Sequence, residues 1–317
     1  MQFLKYLIAL MLLSTACVSH AAFSDAYSKE VKSCLNDGWK HFSVKAAGLE
    51  RSMLWKRPRS KWKHGSIVIL HGGGGSHHQF CAGGGVFEPQ IEFAEAAIKE
   101  GFAVFLLDST NDVVTDEKGQ QCGKRFDFSV LKRRNVDLPF ISKVIKRVIP
   151  QLRPSRSSKK IFMTGLSTGG YMAIRAATHF NDKVTAFAPI SAGDPYGTKT
   201  DCDESLSKKK VAKGVLLDNE TNKVINEKSA CQSQTYANEM TWPTLRSEAA
   251  PAFKQFHDSG DAIVNISCMK KAQLQLKKNG YKDAGEYIVN SSRRSVKNHL
   301  WKDEYNDKVF DFFKSQK

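Results

Sequence analysis

The chain has 317 residues, 41% of them hydrophobic, and a formal net charge of +16. That composition suits a folded protein with a sizeable core. Its lysines are dispersed, and the densest runs, SKKK and LKRR, lack the interleaved aromatics that stack bases. The charge therefore reads as a solvated basic surface drawn to anionic surfaces or polymers, with no nucleic-acid partner.

The N-terminus, MQFLKYLIALMLLSTACVSHAAF, places Lys5 before the apolar run Tyr6 to Leu13 and small residues ending in Ser19-His20-Ala21. This pattern predicts a secretory signal over 1–21, too short for a membrane span, leaving a single domain over 22–317 that is secreted or periplasmic. Lipoprotein processing at Cys17 is the weaker alternative, because Ser14 stands where such signals usually carry Leu. No other apolar run is long enough to cross a bilayer. Six cysteines follow the signal, Cys34, Cys81, Cys122, Cys202, Cys231 and Cys268. In an exported chain this even count predicts up to three disulfides, with the pairing left open.

Apolar runs then alternate with helical patterns, which predicts parallel strands joined by crossover helices. The strands are SIVIL (66–70), AVFLL (103–107), KIFMTG (160–165), VTAFAPIS (184–191), AFKQF (252–256) and EYIVN (286–290), with HFSVKAAG and RSMLWKRP as earlier antiparallel edge strands. EPQIEFAEAAIKEG, NVDLPFISKVIKRVI, GYMAIRAATHF and ISCMKKAQLQLKKNG supply the helices. The expected fold is α/β, a mostly parallel sheet covered by helices on both faces. After the sixth strand, 194–250 is polar, lysine-rich and weakly periodic and carries Cys202 and Cys231, which reads as an ordered, stapled lid-like insertion.

The strand KIFMTG runs into GLSTGGYMA, which contains G-x-S-x-G as Gly165, Leu166, Ser167, Thr168 and Gly169. A serine on a strand-to-helix turn needs small neighbours because the turn is crowded, and its hydroxyl is pushed into the open. Such a hydroxyl needs a base, and the base needs a third group to hold its tautomer. FHDSGDAIV and VKNHLW both follow predicted strands and offer Asp258 or Asp261 as acid and His299 as base. The order Ser167, Asp261, His299 is serine, acid, histidine.

The remaining requirement is a set of donors for the oxyanion. Thr168, next to the nucleophile, supplies one amide; the loop HGGGGSHH (71–78), after SIVIL, supplies the other, from Gly73 or, close behind it, Gly74. His71 reads as a brace for that loop. His77, His78 and, from the insertion, Trp242 are substrate-binding candidates, although Trp242 suits a core position equally well. The histidine spacing fits no metal site, and no acidic residue is placed to read the ribose of a dinucleotide, so neither metal nor cofactor is expected.

Together LHGGGGS, GLSTGGYMA, FHDSGDAIV and NHLW resemble the secreted poly(3-hydroxybutyrate) depolymerase and feruloyl esterase group of α/β-hydrolases, over roughly Ser66 to the C-terminus. The resemblance implies an α/β-hydrolase fold and cofactor-free hydrolysis of carboxylic esters by Ser167, His299 and Asp261, the last closing an H-x-x-x-D stretch from His257. It implies polyester, hydroxyalkanoate or feruloyl esters as substrates. The longer glycine run and the large basic insertion depart from the group where substrate would sit. The competing readings are a serine peptidase or acyl-peptide hydrolase with the same triad, and a non-catalytic binding protein on the same fold.

Overall fold

The structure, a computed structural model, describes residues 28–111, 113–115, 121–128, 134–197, 216–217, 224–226, 242–246 and 250–316. The expected signal and most of the insertion, with Cys17, Cys202 and Cys231, lie outside them.

The sheet is built first from residues that can be buried on both sides. In β3 (Gly65–Leu70) and β4 (Phe102–Leu107) every residue is buried. Ile67, Ile69, Val104 and Leu106 join one core, whereas Val68, Leu70, Phe105 and Leu107 join the other. This alternation between two covered faces is why the runs read as continuously apolar. β5 (Ile161–Leu166) and β6 (Ala186–Ile190) are buried throughout in the same way, followed by β9 (Ala252–Asp258) and β10 (Lys282–Val289). Upstream, β1 (Lys40–Ala46) and β2 (Leu49–Lys56) form a hairpin whose two turn residues, Ala47 and Gly48, both have positive φ. That is the requirement of a two-residue turn matched to strand twist.

The eight strands are ordered β1-β2-β4-β3-β5-β6-β9-β10. The last six in this order, from β4 to β10, run parallel; β2 is antiparallel to β4 and to β1. A short antiparallel pair, β7 (Leu216–Leu217) and β8 (Val224–Asn226), stands apart from the sheet.

Helices α1 (Lys29–Asn36), α2 (Glu88–Lys99) and α6 (Asp303–Ser315) contribute to one core. On the other face lie α3, α4 (Thr168–His179) and α5 (Ile266–Lys278). α3 is α-helical over Leu138–Lys143 and Ile149–Leu152 with a π-helical turn, Val144–Val148, between them. The outermost helices, α1 and α6, extend the architecture beyond the sequence expectation.

Cys34 of α1 is bonded to Cys81 beyond the glycine-rich loop. Closing 47 residues of chain by this bond contributes about 4 kcal/mol through the unfolded state. Cys122 and Cys268 are also disulfide-bonded. No described helix is long and apolar enough to cross a membrane.

Buried histidines give the fold a signed pH dependence. Burial lowers the pKa of His257 and takes that of His77 from 6.5 down to about 3. Below pH 6.5 the unfolded chain therefore binds protons that the folded chain refuses, so stability is full above that pH and falls on acidification. Each such ring contributes a slope of about 1.4 kcal/mol per pH unit within its window. The urea midpoint should fall steadily from pH 7 to pH 4; a flat profile would show these rings to be protonated in the folded protein.

Candidate active site

Parallel strands deliver their following loops to one edge of the sheet. At this edge lie the glycine turn after β3, Asp108 after β4, Ser167 after β5, Asp261 after β9 and His299 after β10. Ser167 stands between β5 and α4 with φ 53° and ψ −119°, a conformation that L-residues rarely adopt. Its N–H donates to the Ile190 carbonyl at 2.9 Å, fixing the elbow to β6. Being 7% exposed, the residue is nearly buried. Among the described residues its hydroxyl has no hydrogen-bond partner.

His299 ends a one-turn 3₁₀ helix, Val296–His299, and its Nδ1 lies 2.7 Å from Asp261 Oδ2. Burial alone would raise the Asp261 pKa, but the His299 contact and backbone N–H bonds outweigh it and hold the carboxyl below its usual range. An ionised carboxylate only accepts, so Nδ1 carries the proton and Nε2 is left as the basic atom. The other oxygen, Oδ1, accepts from the amides of Ile263 at 2.7 Å and Val264 at 2.9 Å. Asp258 is committed elsewhere: it accepts from Gly260 N–H and the Ser291 hydroxyl and pairs with Lys302 at 3.0 Å. His257 Nε2 donates to the Val264 carbonyl at 2.9 Å and lies 3.5 Å from Asp261 Oδ2, bracing the acid's loop.

In the glycine turn, Gly75 N–H donates to Gly72 O at 3.1 Å and Gly74 has φ +74°. Glycine is needed at Gly74 because a type II turn requires positive φ at its third residue. The Gly74 amide donates to the Lys124 carbonyl at 2.7 Å, which removes it from the oxyanion donors expected from the sequence. Gly73 N–H is left without a partner among the described residues. Thr168 opens α4, so its amide has no intrahelical acceptor and the positive helix end lies beside Ser167.

Two substrate-binding expectations change. His77 is 4% exposed, with Nε2 3.0 Å from the Ser52 hydroxyl and Nδ1 3.2 Å from that of Ser76, so it has no free face for a ligand. Trp242 packs on Tyr196, ring centroids 4.4 Å apart, and Tyr196 reaches Thr178 at the C-terminal end of α4. That is about 16 Å along the helix from Ser167, where Trp242 packs against the core. His78 is half-buried and its charge environment includes Glu30 of α1. The described residues hold no cluster of potential metal ligands.

No family model and no curated protein matches the chain. Solved structures do. An esterase from Pyrococcus furiosus aligns over 88% of this chain and 90% of its own, with TM-score 0.54 and 15% identity. The fold is that of the α/β-hydrolases. An S-formylglutathione hydrolase from Agrobacterium tumefaciens aligns over 88% and 95% (TM-score 0.53, 14% identity). The acylaminoacyl peptidase of Pyrococcus horikoshii aligns over 88% of this chain with TM-score 0.53 and 17% identity; the chain spans 41% of its length.

Proposed function

We propose that the protein is a serine esterase that cleaves carboxylic esters through an acyl-enzyme. The observation that carries this reading is the left-handed Ser167 elbow on the same sheet edge as the Asp261–His299 pair. His299 Nε2 takes the Ser167 proton as the hydroxyl attacks the ester carbonyl, and Asp261 stabilises the resulting imidazolium. The amides of Thr168 and Gly73 meet the oxyanion. The imidazolium returns the proton to the leaving alcohol; water, activated by the same ring, then releases the acid.

Esterases of matching fold include one from Butyrivibrio proteoclasticus whose structure contains ferulic acid (TM-score 0.50, 14% identity, covering 86% of this chain and 96% of its own). This neighbour supports the feruloyl branch; polyester and hydroxyalkanoate esters rest on the motif resemblance. The net charge of +16 favours attraction to anionic surfaces or polymers. The acylaminoacyl peptidase neighbour keeps peptide hydrolysis as the second reading.

A panel of p-nitrophenyl esters of rising acyl length, methyl ferulate, polyhydroxybutyrate film and acyl-alanine anilides separates these readings. Turnover of esters and not of the anilides is expected. Preferential cleavage of the anilides would overturn the esterase assignment in favour of a peptidase.

A further inference from the structure

We propose that Asp108 is the positioning residue that sets the oxyanion turn, an inference that rests on the esterase reading above. Asp108 directly follows β4, and β2 fixes its backbone from both sides. Its N–H donates to Ser52 O at 3.0 Å, and its carbonyl accepts from Arg51 Nη2 at 3.0 Å. Arg51 is itself anchored by a fully buried ion pair with Asp137 and by the Val136 carbonyl.

From this fixed base Asp108 and the adjoining Ser109 reach both ends of the turn. On one side of Gly72–Gly75, Oδ1 accepts from the Ser76 hydroxyl at 3.1 Å and His77 N–H at 3.3 Å; on the other, the next residue's amide, Ser109 N–H, donates at 3.0 Å to His71 Nε2, which lies 3.1 Å from Oδ1. The ring of His71 continues the line, with Nδ1 2.7 Å from Gly72 O. Oδ2 accepts from Lys124 Nζ at 3.0 Å, and the backbone carbonyl of the same lysine takes the Gly74 amide. The Asp108 carboxylate thus holds one flank of the turn and the segment that receives its middle, while the adjoining Ser109 amide holds the other flank.

The geometry has a selective result. Gly74 and Gly75 spend their amides on the clamp and the turn, leaving Gly73 N–H as the free donor of the three. Burial would raise the Asp108 pKa, but the His71 ring beside it and the Lys124 ammonium outweigh it and hold the carboxyl below its usual range. A misplaced amide weakens the transition state more than the substrate complex, because the oxyanion forms only in the former.

The test is Asp108→Asn, with Lys124→Met as a milder variant at a half-exposed position. Readouts are kcat, KM, the fraction of Ser167 labelled by a fluorophosphonate, and affinity for an alkyl boronic acid, which forms a tetrahedral adduct. Expected for Asp108→Asn is a loss in kcat of about 10²- to 10³-fold, the cost of an oxyanion donor. KM and final labelling should stay near wild type, and boronate affinity should fall with kcat. Lys124→Met should lower kcat in the same direction by less. Unchanged kcat in folded Asp108→Asn overturns the proposal, as does a loss confined to thermal stability. If Asp108→Asn fails to fold, an unchanged kcat in Lys124→Met overturns it. Absence of wild-type labelling and turnover would instead sink the esterase reading itself.

Discussion

Ser167→Ala is expected to lower kcat by about 10⁴- to 10⁶-fold while leaving KM, the fold and the melting temperature close to wild type. The hydroxyl is the group proposed to form the acyl bond, and it takes no hydrogen bond among the described residues, so its loss breaks no structural contact. Alanine keeps a Cβ at φ 53°, which the elbow already accommodates. Residual activity of about 10³-fold over water would come from the Thr168 and Gly73 amides and from binding. Fluorophosphonate labelling should vanish together with turnover. Hydrolysis within tenfold of wild type in a verified Ser167→Ala preparation would show that the nucleophile lies elsewhere.

The centre of the sheet was legible in the sequence because its strands β3 to β6 are buried on both faces. Runs such as SIVIL and AVFLL have no polar interruption, and their ends in the structure fall within two residues of expectation, except that β10 begins four earlier. That extension carries Gly285 with φ +86° and a register shift between Asp283 and Glu286, so its pattern does not alternate cleanly. The elbow was legible because its steric demands fall on adjacent residues. In the sequence Asp261 is preferred to Asp258 without a local physical reason; the structure adds one, since Asp258 ends β9 and is taken by Lys302 and Ser291.

The bracing of the glycine turn was opaque for a related reason. Asp108 lies 31 residues from His77 and 16 from Lys124. Nothing in the local sequence marks such a meeting, although a carboxylate at the carboxyl end of a parallel strand was a signal to weigh. Trp242 illustrates an open choice: an aromatic in a polar stretch suited a substrate wall and a core position equally, and the ring covers Tyr196 near the far end of α4.

Gly169→Ala is expected to damage both stability and chemistry, against the sign of helix propensity. Alanine within a helix is worth up to about 1 kcal/mol over glycine, so propensity alone predicts a gain. The space at Gly169 decides otherwise. A Cβ there would lie 2.2 Å from Leu70 O and 2.5 Å from His71 O, both backbone atoms that no side-chain rotation can move. Overpacking of this kind costs about 1–3 kcal/mol where side chains can yield, and backbone yields less. The two oxygens end β3 and begin the oxyanion turn, so relief must push Gly73 away from Thr168. The melting temperature should drop by several degrees, at about 2–4 °C per kcal/mol for a domain of this size. Separating the two amides should lower kcat by a further factor of about 10². An alanine variant that melts higher and turns over at the wild-type rate would mean that the elbow and the glycine turn are not in contact, and with that the proposed oxyanion hole would fail.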